Sequence, residues 1–197
     1  MSIAIIDYGM GNLNSVKNSI KFIGFDSHIV SSSEEILKHD TIILPGVGAF
    51  KQAVLELKER KIFEVIINAA KSGKKIIGIC LGMQLLFEES SEFGISKGLG
   101  LIKGNILPLC ENTKLRVPHM GWNEITTQND KFQDHTGDYY FVHSYYCNPC
   151  NKEDVLFETN YGFKFCSGIN VKNQIYGFQF HPEKSQSKGL DLLKSIL

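Results

Sequence analysis

The run Gly78-Ile79-Cys80-Leu81-Gly82 constrains the fold of this chain more than any other stretch. Apolar residues before it, over 74–77, predict a short buried strand, and good helix formers over 83–89 predict a helix after it. A strand that turns into a helix at a cysteine has the layout of a nucleophile elbow, where flanking glycines leave room for the neighbouring strand and loop. A buried structural cysteine between two packing glycines is the alternative interpretation.

Such a corner would hold Cys80 in a strained backbone conformation at the start of the helix. The helix N-terminus would direct backbone N–H groups and its positive dipole end at the sulfur. These groups would stabilise a thiolate and offer donors to a developing oxyanion.

A possible base for this thiol lies downstream, in Gly177-Phe178-Gln179-Phe180-His181-Pro182-Glu183. We expect a strand ended by the proline, with His181 and Glu183 on one face because they are two residues apart. A carboxylate beside an imidazole fixes its tautomer and leaves the other ring nitrogen free to take the thiol proton. The sequence therefore predicts Cys80 as nucleophile, His181 as base and Glu183 as the group that orients the base.

Strands alternate with helices through the first half of the chain. Apolar runs predict strands at 3–8, 27–30 and 41–44, and the intervening patterns predict helices at 13–23, after the cap at 31–34, from the loop at 45–48 to about 57, and at 62–71. This order predicts an α/β fold with a central, mainly parallel sheet and helices on both faces. Sites in such sheets gather at the carboxyl ends of strands, where Cys80 and the Pro45-Gly46-Val47-Gly48 loop both lie.

The second half changes character. Short extended runs at 99–102, 139–142 and 167–171 predict antiparallel strands that extend the sheet, and a closing helix is expected over 189–197. No linker-like segment or repeat divides the chain, and 197 residues with 43% hydrophobic content suffice for one well-filled domain. We expect a single domain over residues 1–197.

Charge and hydropathy exclude several classes of protein. The 21 Lys and Arg balance the 21 Asp and Glu, which argues against a nucleic-acid partner. No apolar stretch approaches the roughly 20 residues of a membrane span, and no signal peptide precedes the first strand. Five cysteines indicate reduced thiols rather than a disulfide framework, so a cytoplasmic location is expected. Cys147 and Cys150 form a single C-x-x-C that is more typical of a polar turn than of a zinc or redox site, and no metal or cofactor is expected.

Together, three motifs resemble those of the class I (triad) glutamine amidotransferases: Pro45-Gly46-Val47-Gly48, Gly78-Ile79-Cys80-Leu81-Gly82-Met83-Gln84 and His181-Pro182-Glu183. Three further stretches resemble one branch of that family, the glutaminase subunits of imidazole glycerol phosphate synthase. They are Asp7-Tyr8-Gly9-Met10-Gly11-Asn12, Val117-Pro118-His119-Met120-Gly121-Trp122-Asn123 and Tyr140-Phe141-Val142-His143-Ser144-Tyr145. The resemblance covers essentially the whole chain.

The resemblance implies a flavodoxin-like fold and hydrolysis of glutamine to glutamate and ammonia through a Cys80-His181-Glu183 triad and a thioester. The oxyanion would be held by the N–H of Leu81 and one N–H from Val47 or Gly48, on a loop that can flip. The positions that match those gripping the amino-acid end of glutamine are Gln84, Glu92, Ser144 and Tyr145.

The resemblance also implies a partner, a (β/α)8-barrel cyclase or synthase subunit that forms a heterodimer with this chain and receives its ammonia for histidine biosynthesis. Aromatic and methionine side chains on a surface are typical interface anchors, and Trp122 is the only tryptophan. Core packing is the alternative role for Trp122. The residues matched to the interface are Asn12, His119, Met120, Trp122 and Lys184.

Two other functions fit parts of the pattern. A paralogous glutaminase would supply ammonia to a sugar amidotransferase in surface-polysaccharide synthesis, and the motifs alone do not distinguish the acceptor. A cysteine peptidase or a regulatory binding module could also carry a Cys-His pair. Gln84 after the corner and the intact Glu183 favour the amidotransferase over this last class.

Overall fold

The computed structural model describes residues 2–197. The first half contains the strands β1 (Ile3–Ile6), β2 (Ser27–Val30), β3 (Thr41–Leu44), β4 (Lys75–Ile79), β5 (Phe87–Ser90) and β6 (Ser96–Lys97). The second half contains β7 (Ile102–Pro108), β8 (His119–Ile125), β9 (Gly137–His143), β10 (Tyr145–Pro149), β11 (Val155–Asn160), β12 (Lys164–Val171) and β13 (Ile175–Phe178). The helices are α1 (Leu13–Phe22), α2 (Ser33–Ile36), α3 (Phe50–Glu59), α4 (Phe63–Lys71), α5 (Leu81–Leu85) and α6 (Gln186–Ile196).

One large sheet organises the molecule, in the order β2-β1-β3-β4-β13-β12-β10-β7-β5-β6, with β11 paired to β12. The strands from β2 to β13 in this order are parallel. Beyond β13 the pairs are antiparallel except for β5 with β7. The predicted α/β architecture, a mainly parallel central sheet extended by antiparallel strands, is confirmed.

Both faces of β1, β3 and β13 are buried, which explains their largely apolar sequences, whereas the edge strand β2 exposes His28. Along β1, Ala4 and Ile6 belong to one core and Ile3 and Ile5 to the other, as the period of two requires. The first core also takes apolar residues of α3 and α4, and the second takes those of α1 and α6. Helices therefore cover both faces of the sheet, as predicted.

The helix predicted over residues 83–89 is wrong at its C-terminal half. Helix α5 ends at Leu85, and β5 begins at Phe87 and pairs with β7. Phe87 is fully buried, and the Glu88 carboxylate accepts the Gly104 N–H at 3.0 Å. Tertiary pairing and burial thus override the helix propensity of these residues.

The structure of two later segments also differs from the sequence prediction. The run at 139–142 does not extend the main sheet, because β9 pairs only with β8 in a separate two-stranded sheet. The closing helix begins at Gln186, so Gly189 lies inside it. A side chain at 189 would place its Cβ 2.0 Å from the Pro182 carbonyl oxygen, which explains a glycine within a helix. Among residues 2–197, no helix is both long and apolar enough to cross a bilayer.

Candidate active site

Cys80 lies at the corner between β4 and α5, with φ 54° and ψ −112°. This positive φ is strained for a residue with a side chain. A Cβ at Gly78 would lie 2.6 Å from the Gly82 carbonyl oxygen, and one at Gly82 would lie 1.7 Å from the Leu44 carbonyl oxygen. Both glycines are therefore required by close backbone packing, and the corner has the geometry of a nucleophile elbow.

His181 and Glu183 meet, but not in the way the spacing predicted. Strand β13 ends at Phe178, and residues Pro182–Lys184 form a 3₁₀ turn, so the two side chains are not on alternate positions of a strand. Pro182 has a fixed φ and no N–H, which suits the first position of a helical turn. Within this turn, His181 Nδ1 lies 2.8 Å from Glu183 Oε1, and both side chains are nearly fully buried.

The His181–Glu183 contact fixes the state of the imidazole. Burial by itself disfavours the imidazolium, but the contacts with Cys80 and Glu183 outweigh it and raise the pKa of His181 to about 10. Because Nδ1 donates to the carboxylate, Nε2 is the nitrogen left for proton transfer. This nitrogen is buried and makes no hydrogen bond within the described part of the chain.

The Cys80 thiol lies between two other polar groups. Its Sγ is 3.8 Å from the Val142 carbonyl oxygen, the acceptor of the S–H, and 3.7 Å from Nε2 of Gln179. Gln179 is a neighbour of the sulfur that the sequence did not reveal. Its position two residues before His181 was the available signal, but the sequence did not show which way the side chain turns.

A cavity of about 350 Å³ opens beside Cys80. All of the residues matched to oxyanion or substrate binding line it, namely Val47, Gly48, Leu81, Gln84, Glu92, Ser144 and Tyr145. The tertiary structure thus brings these residues together around the sulfur, from four separate segments of the chain.

The loop that follows β3 is held at its start and open at its end. The buried Tyr8 hydroxyl donates to the Pro45 carbonyl at 2.8 Å, a contact that the sequence analysis did not identify. A Cβ at Gly46 would meet the Tyr8 hydroxyl at 2.4 Å and Gly82 N at 3.1 Å, so this part of the loop packs directly on the Cys80 corner. Gly48 has φ +99°, and Val47 is exposed. The first half of the loop is therefore packed against the Cys80 corner, whereas Val47 and Gly48 are exposed.

Two of the cavity residues already make internal hydrogen bonds. Glu92 Oε2 accepts the backbone N–H of Phe50 at 2.6 Å, at the N-terminus of α3. Gln84 Nε2 donates to the Tyr145 carbonyl at 3.2 Å and to Gln179 Oε1 at 2.9 Å. Both amide hydrogens of Gln84 are used, so only its carbonyl oxygen remains for a ligand.

One of the residues matched to a partner, His119, is buried rather than at the surface. His119 is 2% exposed, whereas Met120 and Trp122 on the same strand are 62% and 49% exposed. The His119 ring stacks between Phe141 and Tyr161, with centroids 4.7 and 4.0 Å away. The physical reason is that β8 packs one face on these aromatic rings, and His119 points to that face.

The other matched residues are at the surface. The Trp122 ring lies edge-on to Tyr140 at 6.2 Å, and Lys184 Nζ lies 5.8 Å from the centre of the same Tyr140 ring. Asn12 is exposed, and its side chain also caps α1 by accepting the Ser15 N–H at 3.3 Å. Core packing of Trp122 is excluded by its exposure.

The C-x-x-C pair does not form a site in this structure. Cys147 is buried and Cys150 is exposed, and all five cysteines are free thiols. Among residues 2–197, no group of three or more His, Cys, Asp or Glu side chains is arranged to hold a metal ion.

Comparison with known proteins places this geometry in a family. The family model for glutamine amidotransferase class-I matches residues 4–195. The imidazole glycerol phosphate synthase subunit HisH of Caldanaerobacter subterraneus subsp. tengcongensis is 46% identical over 198 residues, which cover 98% of this chain and 96% of that protein. The subunit HisH of Listeria innocua is 47% identical over 197 residues (98% and 94%), and the subunit HisH 1 of Campylobacter jejuni is 44% identical over 200 residues (99% and 98%).

Solved structures share the fold at low sequence identity. A glutamine amidotransferase crystal structure superposes with a TM-score of 0.77 at 16% identity, covering 97% of this chain and 96% of that one. A chain of PurLQS from Thermotoga maritima gives a TM-score of 0.78 at 20% identity, covering 99% and 96%.

Proposed function

The chain belongs to the glutamine amidotransferase class-I family, and on that premise we propose that it is the glutaminase subunit of an imidazole glycerol phosphate synthase. It is a glutamine amidotransferase, which releases ammonia from glutamine. The observation that carries the proposal is the cavity beside Cys80, which Val47 and Gly48 line, next to a cysteine that also contacts the His181–Glu183 pair. Its relatives at 44–47% identity, aligned over nearly their whole length, carry the name of this subunit.

In the proposed reaction, Cys80 Sγ attacks the side-chain carbonyl carbon of glutamine with the proton of the Cys80–His181 pair held on Nε2 of His181, as its raised pKa favours. Glu183 stabilises the imidazolium that forms. The imidazolium then gives its proton to the departing ammonia as the C–N bond breaks, which leaves a glutamyl thioester on Cys80. His181 takes a proton from water, the hydroxide attacks the thioester, and glutamate leaves as the thiol is restored.

The tetrahedral intermediates of both steps carry a negative oxygen. The N–H of Leu81 at the start of α5 and an N–H from Val47 or Gly48 are the proposed donors, and one such donor is typically worth about 10²–10³ in rate. Val47 and Gly48 lie on the open half of their loop, so this donor can be supplied or withheld. We propose that the resting loop withholds it until a partner is engaged.

The amino-acid end of glutamine would bind at the other end of the cavity. Gln84 Oε1 is free to accept from the substrate ammonium, and the Glu92 carboxylate complements its charge. Ser144 and Tyr145 complete the binding site. The proposal includes one domain over residues 1–197 and a cytoplasmic location, which the five free thiols support.

The proposed partner is a (β/α)8-barrel cyclase subunit, bound as a heterodimer at the surface that carries Met120, Trp122 and Lys184. Exposed Trp and Met side chains are typical interface anchors. Asn12 is the remaining residue matched to the partner, and it lies near the loop after β3, since a Cβ at neighbouring Gly11 would lie 3.5 Å from the Pro45 side chain. Docking there would shield the ammonia from water and reach the oxyanion loop.

The proposal is tested with Cys80→Ala in the reconstituted synthase. Glutamine-dependent synthesis should be lost, and ammonia-dependent synthesis by the barrel subunit should be unchanged, because Cys80 acts only in ammonia release. Equal loss with both nitrogen sources would contradict the proposal. A parallel reconstitution with a sugar amidotransferase tests the alternative acceptor, which would be preferred if only that partner raised glutaminase turnover.

A further inference from the structure

The Tyr145 carbonyl oxygen fixes the direction of a buried hydrogen-bond network. It accepts from Gln84 Nε2 at 3.2 Å and from His143 Nδ1 at 2.8 Å. A carbonyl oxygen can only accept, so the nitrogen of the Gln84 amide must face Tyr145. The Tyr145 backbone carbonyl therefore determines which side of the Gln84 amide carries the nitrogen and which carries the oxygen.

The orientation of Gln84 fixes that of Gln179 in turn. The second hydrogen on Gln84 Nε2 is donated over 2.9 Å to Gln179, which must present its oxygen there. The Gln179 amide nitrogen then faces the other way, and it lies 3.7 Å from Cys80 Sγ. Gln179 is fully buried, and its backbone N–H is used by the Ser167 carbonyl at 2.9 Å.

We propose that Gln179 is a positioning residue for the reaction, whose side-chain N–H donates to the Cys80 sulfur and holds it in line with His181. The inference rests on the proposed function only in assigning Cys80 as the nucleophile. The sulfur is held from two sides, with the Val142 carbonyl as acceptor of its S–H and Gln179 as donor to its lone pair. When the proton leaves, the N–H of Gln179 becomes a donor to an anion in a largely buried site.

The series of hydrogen bonds from Tyr145 through Gln84 and Gln179 to Cys80 also gives Gln84 a second role. Gln84 lines the cavity, while its amide nitrogen keeps Gln179 turned toward the sulfur. One residue at the substrate site thereby supports the geometry of the nucleophile.

Two substitutions distinguish the effect of the Gln179 hydrogen-bond donor from the effect of the space that its side chain fills. Gln179→Glu keeps an oxygen for the Gln84 N–H but puts an oxygen where the donor to sulfur stood. Gln179→Met keeps approximate length and removes both polar ends. Gln174→Met is the matched control, since the Gln174 side chain likewise makes two hydrogen bonds, here to the Ala70 and Lys74 carbonyls, but lies at the opposite end of β13.

The main readout is the rate at which iodoacetamide alkylates Cys80, followed by peptide mass spectrometry at fixed pH on the purified chain. Both Gln179 variants should react about ten- to a hundredfold more slowly, as expected for loss of a hydrogen bond to a charged group. Gln174→Met should react at the wild-type rate. In the reconstituted synthase, kcat for glutamine should fall in both Gln179 variants with a smaller change in KM.

A second measurement leaves Gln179 in place and covers the case in which both Gln179 variants fail to fold. In NMR spectra, the side-chain amide proton resonances of Gln179 should differ between the wild type and Cys80→Ala, because that variant removes the sulfur acceptor. Wild-type alkylation in folded Gln179 variants, or an unmoved Gln179 resonance, would overturn the inference. Slow alkylation in the variants together with no glutaminase activity in the wild-type synthase would support the inference and contradict the proposed function.

Discussion

The imidazole of His119 is hydrogen-bonded to the imidazole of His143, with 2.9 Å between His119 Nδ1 and His143 Nε2. His143 Nδ1 must donate to the Tyr145 carbonyl, so its Nε2 is the acceptor and His119 Nδ1 the donor. His119 Nε2 is left to accept from Asn123 Nδ2 at 3.1 Å. Both rings are therefore neutral, and together they connect the strand that carries Trp122 to the cavity beside Cys80, which His143 lines.

This pair predicts that the protein loses stability in mild acid. Burial lowers the pKa of His119 to about 4 and that of His143 to about 3. Below about pH 6.5 the unfolded chain takes up protons that the folded chain cannot, so stability that is present above that pH is lost as the pH falls toward the folded pKa values.

The variant His143→Asn keeps a donor near the Tyr145 carbonyl but has no group to titrate. Between about pH 7.5 and about pH 5, its free energy of unfolding should fall by about 2 kcal/mol less than that of the wild type. Urea unfolding at the two pH values measures the difference. Equal losses in the two proteins would show that His143 does not control the acid sensitivity.

Glu183→Gln should keep the fold but lower glutamine turnover about a hundredfold in the synthase, because His181 loses the charge that orients it and stabilises its imidazolium. Ammonia-dependent synthesis serves as the control and should be unchanged. Unchanged glutamine turnover would remove Glu183 from the triad.

The same substitution should change the pH dependence of stability. The raised pKa of His181 contributes stability that is fully present below about pH 6.5 and is lost as the pH rises through about 10. The stability difference between wild type and Glu183→Gln should therefore be larger in neutral than in alkaline buffer, which chemical unfolding at both pH values would show. A constant difference would contradict this assignment of the His181 pKa.

Gly82→Ala should destabilise the chain by about 3 kcal/mol or more, because the added Cβ meets backbone rather than a movable side chain. The clash is with the Leu44 carbonyl oxygen at 1.7 Å. Gly24→Ala is the control, since Gly24 has a positive φ of 92° but open space around it. That control should cost only about 1–2 kcal/mol of backbone strain. Thermal and denaturant unfolding of both variants would test the contrast.

Trp122→Ala should weaken binding to the barrel subunit at least about tenfold, as expected for an interface anchor. Phe22→Ala is the matched control, because Phe22 is 80% exposed at the far end of α1 from Asn12. Titration calorimetry measures the affinity.

Glutaminase turnover should be followed for the chain alone, with the barrel partner, and with the partner plus its acceptor ligand. A rise of about tenfold or more is expected across that series from the oxyanion donor, and Trp122→Ala should blunt it. Full turnover by the isolated chain would exclude such a switch.

Much of the fold followed from local sequence. The strands at 27–30 and 41–44 have their predicted bounds, and α1 and α4 differ by one residue at an end. These elements have clear periodicity, caps and glycine stops, so local energetics and tertiary packing agree on them. Local energetics and tertiary packing disagree over Phe87–Glu89. These residues favour a helix, but they pair as a strand with β7, more than ten positions away.

What the sequence by itself determined is the alternation of buried strands and helices, the glycine-flanked corner at Cys80 and several of the residues that line the cavity beside it. The tertiary structure alone decided which polar atoms face one another. The 3₁₀ turn after His181 delivers Glu183 to the ring, β8 turns His119 inward beside Trp122, and the Tyr145 carbonyl orients Gln84 and Gln179. The physical reason is that backbone periodicity is encoded locally, whereas hydrogen-bond direction in a buried site depends on donors and acceptors that distant segments bring together.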